Sequence, residues 1–164
     1  MPPLELPTIC NCARIRRASR VITRFYDSAL APAGLGINQF TLLGYLRTRG
    51  PMALNQLADL LAMDRATVGH NVRPLERDGL IELIQSREDG RVKLTALTEK
   101  GGEMLDAARP LWERAQAQFE QAIGTDTSED IRAVMDKVAA LRHDILAPVE
   151  PPTSATPVRG NRPN

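Results

Sequence analysis

Apolar residues recur at steps of three and four from Asn11 to Leu30, where Ile15, Ala18, Val21, Ile22, Phe25 and Ala29 line one side of a helix. Pro32, Gly34 and Gly36 break that pattern. A second helix is predicted from Asn38 to about Arg47, with Phe40, Leu43, Tyr45 and Leu46 as its contacts and Gly50-Pro51 as its stop. Leu54 or Asn55 opens a third, short helix. Asp64 is placed to cap a fourth, because its carboxylate can accept from N–H groups two or three residues on. That helix ends at Gly79, a residue suited to the left-handed position beyond a helix. The period then changes. LIELIQ and RVKLTAL are two β-prone runs joined by a charged turn around Gly90, the pattern of a hairpin. Thr98 caps a long helix whose interior Pro110 predicts a kink or break. A last helix, from near Ser128, spaces Ile131, Val134, Val138, Leu141 and Ile145 as a coiled-coil-like seam. Beyond Pro148 the chain is rich in Pro, Ser and Thr and reads as a disordered tail, 148–164.

This order predicts a mainly α fold with a small β-hairpin wing: a winged helix-turn-helix carrying N- and C-terminal dimerisation helices. Residues 1–147 form the domain, with the wing part about 37–97 and the dimerisation helices about 11–31 and 99–147. The terminal helices carry more apolar face than one small domain covers, which implies a homodimer.

Composition narrows the field. At 164 residues the chain has room for one domain, and no apolar run reaches the ~18 residues of a membrane-spanning helix. The N-terminus lacks the layout of a secretory signal, so a cytoplasmic location is expected and no membrane partner. Two cysteines exclude a disulfide framework and a four-thiolate metal site, and no cofactor or metal is expected. The histidines, His70 and His143, lack a catalytic partner in the sequence, and no phosphate-cradling loop is present, so an enzyme is not expected. Net charge is only +1, but its distribution is uneven. Arg14, Arg16, Arg17, Arg20 and Arg24 face no acid between Cys12 and Phe25, whereas residues 99–150 hold eleven acids against six bases. Such polarity permits local contact with a polyanion on a nearly neutral protein.

The segments GLGINQFTLLGYL, LNQLADLLAMDRATVGHNVRPLERDGLI and SREDGRVKLTALTEKG resemble the MarR family of bacterial transcriptional regulators. Asp89, Arg91, Leu97-Thr98 and Gly101 stand at the family spacing, while Gly90 replaces a usual basic residue. The resemblance implies a homodimer on a pseudo-palindromic double-stranded DNA operator, commonly a repressor released by a small molecule or an oxidant. It also implies that Asp89 and Arg91 shape the wing, and that a wing arginine reaches the minor groove.

The residues suit that role. Early in the fourth helix Arg65, Ala66, Thr67, His70 and Asn71 offer short or hydrogen-bonding side chains, while Val68, Val72 and Leu75 turn inward. Thr67 can meet a thymine methyl, and Asn71 can bond adenine at two points. Arg73, Arg77, Arg87, Arg91 and Lys93 are candidates for phosphates and the wing contact. The alternative is a winged-helix module for protein–protein assembly that never binds DNA.

Two further candidate sites concern the signal. Cys10 and Cys12 sit at a helix start followed by arginines, where dipole and cations favour the reactive thiolate; a small buried apolar role is the plain alternative. A Cys10–Cys12 bridge would close a tight ring, so an intersubunit or mixed disulfide is chemically easier. The stretch from Cys12 to Leu30 is similar to the first helix of organic-hydroperoxide-sensing (OhrR-type) members. That likeness implies oxidation at Cys12 and contact from Tyr26, although Arg16 and Ile37 stand where those members have tyrosines. Arg16, Arg20, Phe40, Tyr45 and Trp112 are candidates to line a pocket for a small aromatic acid.

Overall fold

The computed structural model describes residues 10–141, which fall into two compact units divided after Thr125. Helix α1 (Asn11–Leu30) leads through a short 3-10 turn (Ala31–Ala33) into α2 (Ile37–Arg49). Strand β1 (Met52–Ala53), α3 (Leu54–Leu60) and α4 (Arg65–Arg77) follow, then β2 (Ile81–Gln85), β3 (Lys93–Leu97) and the long α5 (Glu99–Ile123). The second unit holds most of α6 (Thr125–Ala139). The proposed tail and the predicted seam residue Ile145 lie outside the described residues, as does His143.

The corner after α1 is closed by polar bonds. Asp27 Oδ1 accepts from Ile37 N–H at 2.7 Å, and Gln39 Oε1 accepts from Gly36 N–H at 3.0 Å, so α2 starts one residue earlier than its apolar pattern indicates. Leu42, Leu43 and Leu46 of α2 are buried with Leu57, Val68, Val72 and Leu75 of the next two helices, forming one continuous core. Apolar spacing in α4 therefore does what the sequence predicts: its inward face is sealed and its outward face is free. Tyr26 of α1 is buried against α5, its hydroxyl donating to Gln116 Oε1 at 2.6 Å and its ring 6.5 Å from Phe119.

The sheet has three antiparallel strands in the order β1-β3-β2. The hairpin pairs Ile81 with Leu97 and Gln85 with Lys93. Strand β1 escapes sequence reading because two residues carry no period; Met52 pairs with Thr95 and Ala53 with Leu94. Ser86 N–H bonds Val92 O at 2.9 Å, and Asp89 Oδ1 accepts from Arg91 N–H at 2.9 Å, which closes the wing turn.

Two expectations need correction. Of the kink or break expected at Pro110, the break does not occur: α5 runs continuously from Glu99 to Ile123. Proline removes one bond, to the carbonyl four residues back, but Asp106 and Pro110 both lie on the exposed side. Leu105, Ala108 and Ala115 are buried on the opposite side, and that packing holds the helix through the defect. The last helix begins at Thr125 rather than near Ser128. Its Ile131, Val134, Met135 and Val138, with Leu141 just beyond its end, are 37–49% exposed, an apolar stripe.

Of the described glycines, Gly101 packs most tightly. A Cβ there would lie 2.0 Å from Leu80 O and 2.8 Å from Leu97 Cδ1, so the first turn of α5 touches backbone that cannot retreat. At Gly102 the only close neighbour is the Arg47 Nη1 atom, 2.8 Å away at the end of a flexible side chain. Gly101→Ala is therefore expected to lower stability by about 1–3 kcal/mol in urea unfolding, as overpacking does. Gly102→Ala should not, because helix propensity favours alanine by roughly 1 kcal/mol.

Candidate nucleic-acid interface

Helix α4 is set by its cap. Asp64 Oδ1 accepts from Thr67 N–H at 2.8 Å, and Asp64 Oδ2 accepts from the Thr67 hydroxyl at 2.6 Å. These two bonds from Thr67 hold the Asp64 carboxyl below its ordinary pKa, hence ionised near neutrality. Thr67 is exposed, with its hydroxyl committed to Asp64. Arg65, Ala66, Thr67 and His70 are exposed, and Asn71 is half-buried, its Nδ2 donating to Thr67 O at 3.1 Å. The early turns thus present short side chains and one imidazole around a fixed helix start.

Between α4 and the wing lies a hollow of about 650 Å³. Arg65, Gly69, Arg73 and Glu76 line it from the helix; Leu83, Arg91, Val92 and Lys93 line it from the hairpin. The fold brings four predicted cations, Arg65, Arg73, Arg91 and Lys93, from positions up to 28 residues apart onto one cleft. None of the four takes part in the ion pairs found among the described residues. Cations left without carboxylate partners around an open groove form an anion-binding wall.

Two other predicted cations lie elsewhere. Arg77 bonds its neighbour, Arg77 Nε to Asp78 Oδ1 at 2.9 Å, and this pair lowers the Asp78 pKa and raises that of Arg77. Arg87 lines a separate hollow behind the wing with Gln56, Gln85 and Glu88. The wing-shaping pair is Asp89 carboxylate to Arg91 backbone, which leaves the guanidinium of Arg91 for the groove. Sequence reasoning missed Glu76, Leu83 and Val92 as groove residues. Leu83 and Val92 are 43% and 37% exposed, yet an apolar residue in a β-prone run reads as core until the facing of the run is known.

The candidate effector residues separate into three places. Phe40 and Trp112 stack with centroids 6.0 Å apart and 21° between planes, and both line a hollow of about 460 Å³. Its cations are Arg47 and Arg109, joined by Asp106 at 2.9 and 3.4 Å. Arg16 and Arg20 are exposed on α1 and do not line it, and Tyr45 instead sits beneath Arg49, 5.7 Å from ring centroid to guanidinium carbon. The pocket cations were missed because Arg47 and Arg109 are far apart in sequence and meet only where α2 crosses α5.

Cys10 is the residue before α1 and half-buried; Cys12 is exposed in the first turn, and both thiols are free. Tyr26 lies fourteen residues further along the same helix, about 21 Å at 1.5 Å per residue. Within one chain it serves Gln116 and does not reach Cys12.

The MarR family model matches residues 33–92, the wing part of the chain. The uncharacterised HTH-type transcriptional regulator YwoH of Bacillus subtilis (strain 168) is 33% identical over 53% of this chain, and the chain spans 63% of its length. A second B. subtilis regulator of that type, YdcH, is 34% identical over 63% of this chain and 73% of its own length. Among solved structures, the M. tuberculosis transcriptional regulator MosR in complex with DNA is similar at 32% identity and a TM-score of 0.67. That likeness covers 80% of this chain and 99% of the other.

The Asp64 cap yields a signed expectation. A carboxylate whose pKa is lowered on folding contributes stability that is fully present above its unfolded value, about 3.9, and lost as pH falls through the folded value. Asp64→Ala should lower the thermal midpoint at pH 7 and leave it nearer the parent's at acid pH, while Asp64→Ser keeps most of the cap. Circular-dichroism melts across pH 2–7 (about the carboxylate range) check this; an unchanged midpoint for Asp64→Ala at pH 7 contradicts it.

Proposed function

The chain belongs to the MarR family, and from that premise we propose that it is a sequence-specific, double-stranded-DNA-binding transcriptional regulator, a homodimer acting as a repressor. The observation that carries this reading is the groove between α4 and the wing, walled by Arg65, Arg73, Arg91 and Lys93. With α4 in the major groove and the hairpin tip at the neighbouring minor groove, the sugar–phosphate strand between them runs along that wall. Ala66, Thr67, His70 and Asn71 then face base edges, Thr67 through its methyl and Asn71 after releasing the Thr67 carbonyl. Arg77 and Arg87 contact flanking phosphates, Arg77 once it leaves Asp78. The similar MosR–DNA complex supports the reading.

Dimerisation follows from uncovered apolar surface. Ile15 and Val21 on α1 and the α6 stripe are exposed in the single chain, and burying such faces between two copies stabilises both. The domain extends over 1–147, with α1, α5 and α6 as the dimer base. In this reading the protein acts by occupying DNA rather than by chemistry, in the cytoplasm beside the chromosome. Among the described residues no helix is long and apolar enough to cross a membrane, and no cluster of three or more His, Cys, Asp and Glu could hold a metal ion.

Two signals fit particular features. The Phe40–Trp112 hollow suits a small aromatic acid, its ring against the stacked pair and its carboxylate taking Arg47 and Arg109 from Asp106. Because α2 belongs to the wing part and α5 to the dimer base, occupancy there shifts one against the other. Exposed Cys12 suits an oxidant, through an intersubunit or mixed disulfide.

Duplex binding is measured against salt. The affinity should fall steeply, by roughly 10³ or more between 50 and 200 mM for six or more phosphate contacts per dimer. Arg91→Ala should reduce the log–log slope by about 2, one contact per copy. A protein-assembly module would bind duplex weakly or not at all under both conditions. The signals are separated on the same complex: peroxide should release the parent but not Cys12→Ser, whereas an aromatic acid should release both and quench Trp112, the single tryptophan. Peroxide release of Cys12→Ser removes the Cys12 reading, and release by acid without quenching removes the hollow.

A further inference from the structure

The exit of helix α4 is hydrogen-bonded to the start of α5. Asp78 is its C-cap residue, and Gly79 follows in the left-handed conformation at φ 71°. Lys100 Nζ donates to Asp78 O at 2.8 Å, the Thr98 hydroxyl donates to Gly79 O at 2.8 Å, and Thr98 N–H donates to Leu80 O at 3.2 Å. Three successive carbonyls at the exit of α4 are thus taken by Thr98 and Lys100. The same Thr98 oxygen accepts from Gly101 N–H at 3.0 Å, so one hydroxyl both starts α5 and holds the end of α4. Gly101 brings the two backbones into contact at Leu80 O.

Helix ends ordinarily satisfy their last carbonyls with water or a local turn. The last-turn carbonyls of α4 follow that rule, Leu80 N–H donating to Leu75 O at 2.8 Å and Gly79 N–H to Glu76 O at 3.0 Å, whereas the three carbonyls after them are met by donors at the cap and first turn of α5. The apolar face of α4, Val68, Val72 and Leu75, sets how deep the helix sits but is non-directional. Hydrogen bonds weaken steeply when bent, so three of them fix direction. We propose, on the basis of the DNA reading above, that Thr98 and Lys100 are positioning residues that lock the axis of α4 to the first turn of α5 and so set the half-site spacing the dimer accepts.

The lever arm makes the effect large. Helix α4 has 13 residues, about 20 Å at 1.5 Å per residue. A tilt of about 10° at its exit moves its reading end by roughly 3.5 Å, close to the ~3.4 Å rise of one base pair. Play at this seam is therefore play of one base pair in the distance between two reading helices, which must lie about 34 Å apart. Neither residue lines the groove, so loosening the seam leaves the phosphate wall unchanged.

The test uses the full-length dimer and a duplex that it selects from a random pool, together with the same duplex lengthened or shortened by one central base pair. The parent should lose about tenfold or more in affinity on either change, comparable to a mismatched base pair. Thr98→Val and Lys100→Met should lose less than about threefold, under 1 kcal/mol, with random-duplex affinity and salt slope as in the parent. Thr98→Ser, which keeps the hydroxyl, should restore the parent's penalty. Folded, dimeric variants that keep the full spacing penalty overturn the proposal; should Thr98→Val not fold, Lys100→Met, which loses one exposed bond, decides alone. A parent that selects no duplex overturns the DNA reading itself, and the variants then play no part.

Discussion

The wing part of this protein is held to its long helix by a backbone-to-backbone approach that only glycine permits. Gly101 lies so close to Leu80 O that no side-chain carbon fits between them. Around that contact the Thr98 hydroxyl closes the start of α5 and the end of α4 at once. Everything downstream depends on it: the strand pair Ile81–Leu97 begins there, α4 exits there, and the 25-residue α5 takes its direction there. A defect elsewhere in α5, such as Pro110, is tolerated because it lies on the exposed side and breaks no such junction.

Charge in this molecule is organised by place rather than by amount. A chain of net charge +1 has no long-range field to draw a polyanion. What it has is selective pairing. Arg77 is held by Asp78, and Arg47 and Arg109 by Asp106, while Arg65, Arg73, Arg91 and Lys93 surround a groove without ion-pair partners among the described residues. Several of the acids are committed to backbone. Asp64 caps α4, Asp27 caps α2, and Asp89 closes the wing turn. Carboxylates spent on N–H groups leave guanidinium groups for a ligand.

Most of the fold was legible because its elements obey local rules. Helix periods, the Asp64 and Thr98 caps, the Gly79 exit and the hairpin depend on neighbours within a few residues, and each stands where the pattern places it. Errors arose where local rules compete with packing. Pro110 ought to interrupt a helix in isolation, β1 is too short to show a period, and Thr125 begins its helix three residues before the apolar spacing does. The candidate site was legible by residue type but not by grouping. Arginines were recognised as cations for a polyanion, yet nothing in their spacing says which are paired, and the Phe40–Trp112 hollow acquired Arg47 and Arg109 in place of Arg16 and Arg20.

The sequence by itself determined the order of elements, their caps, the inward face of α4 and the kinds of side chain on its outward face, since all of these follow from steric and hydrogen-bonding preferences acting over one or two helical turns. Only the tertiary structure decided which cations share a groove, that Leu83 and Val92 face it, that Arg77 is occupied by Asp78, and that α4 is bolted to α5 through Thr98 and Lys100. Those outcomes depend on the meeting of segments up to sixty residues apart, as with Arg47 and Asp106. Such meetings are fixed by how the buried faces close on one another, a global condition that no local window of the chain contains.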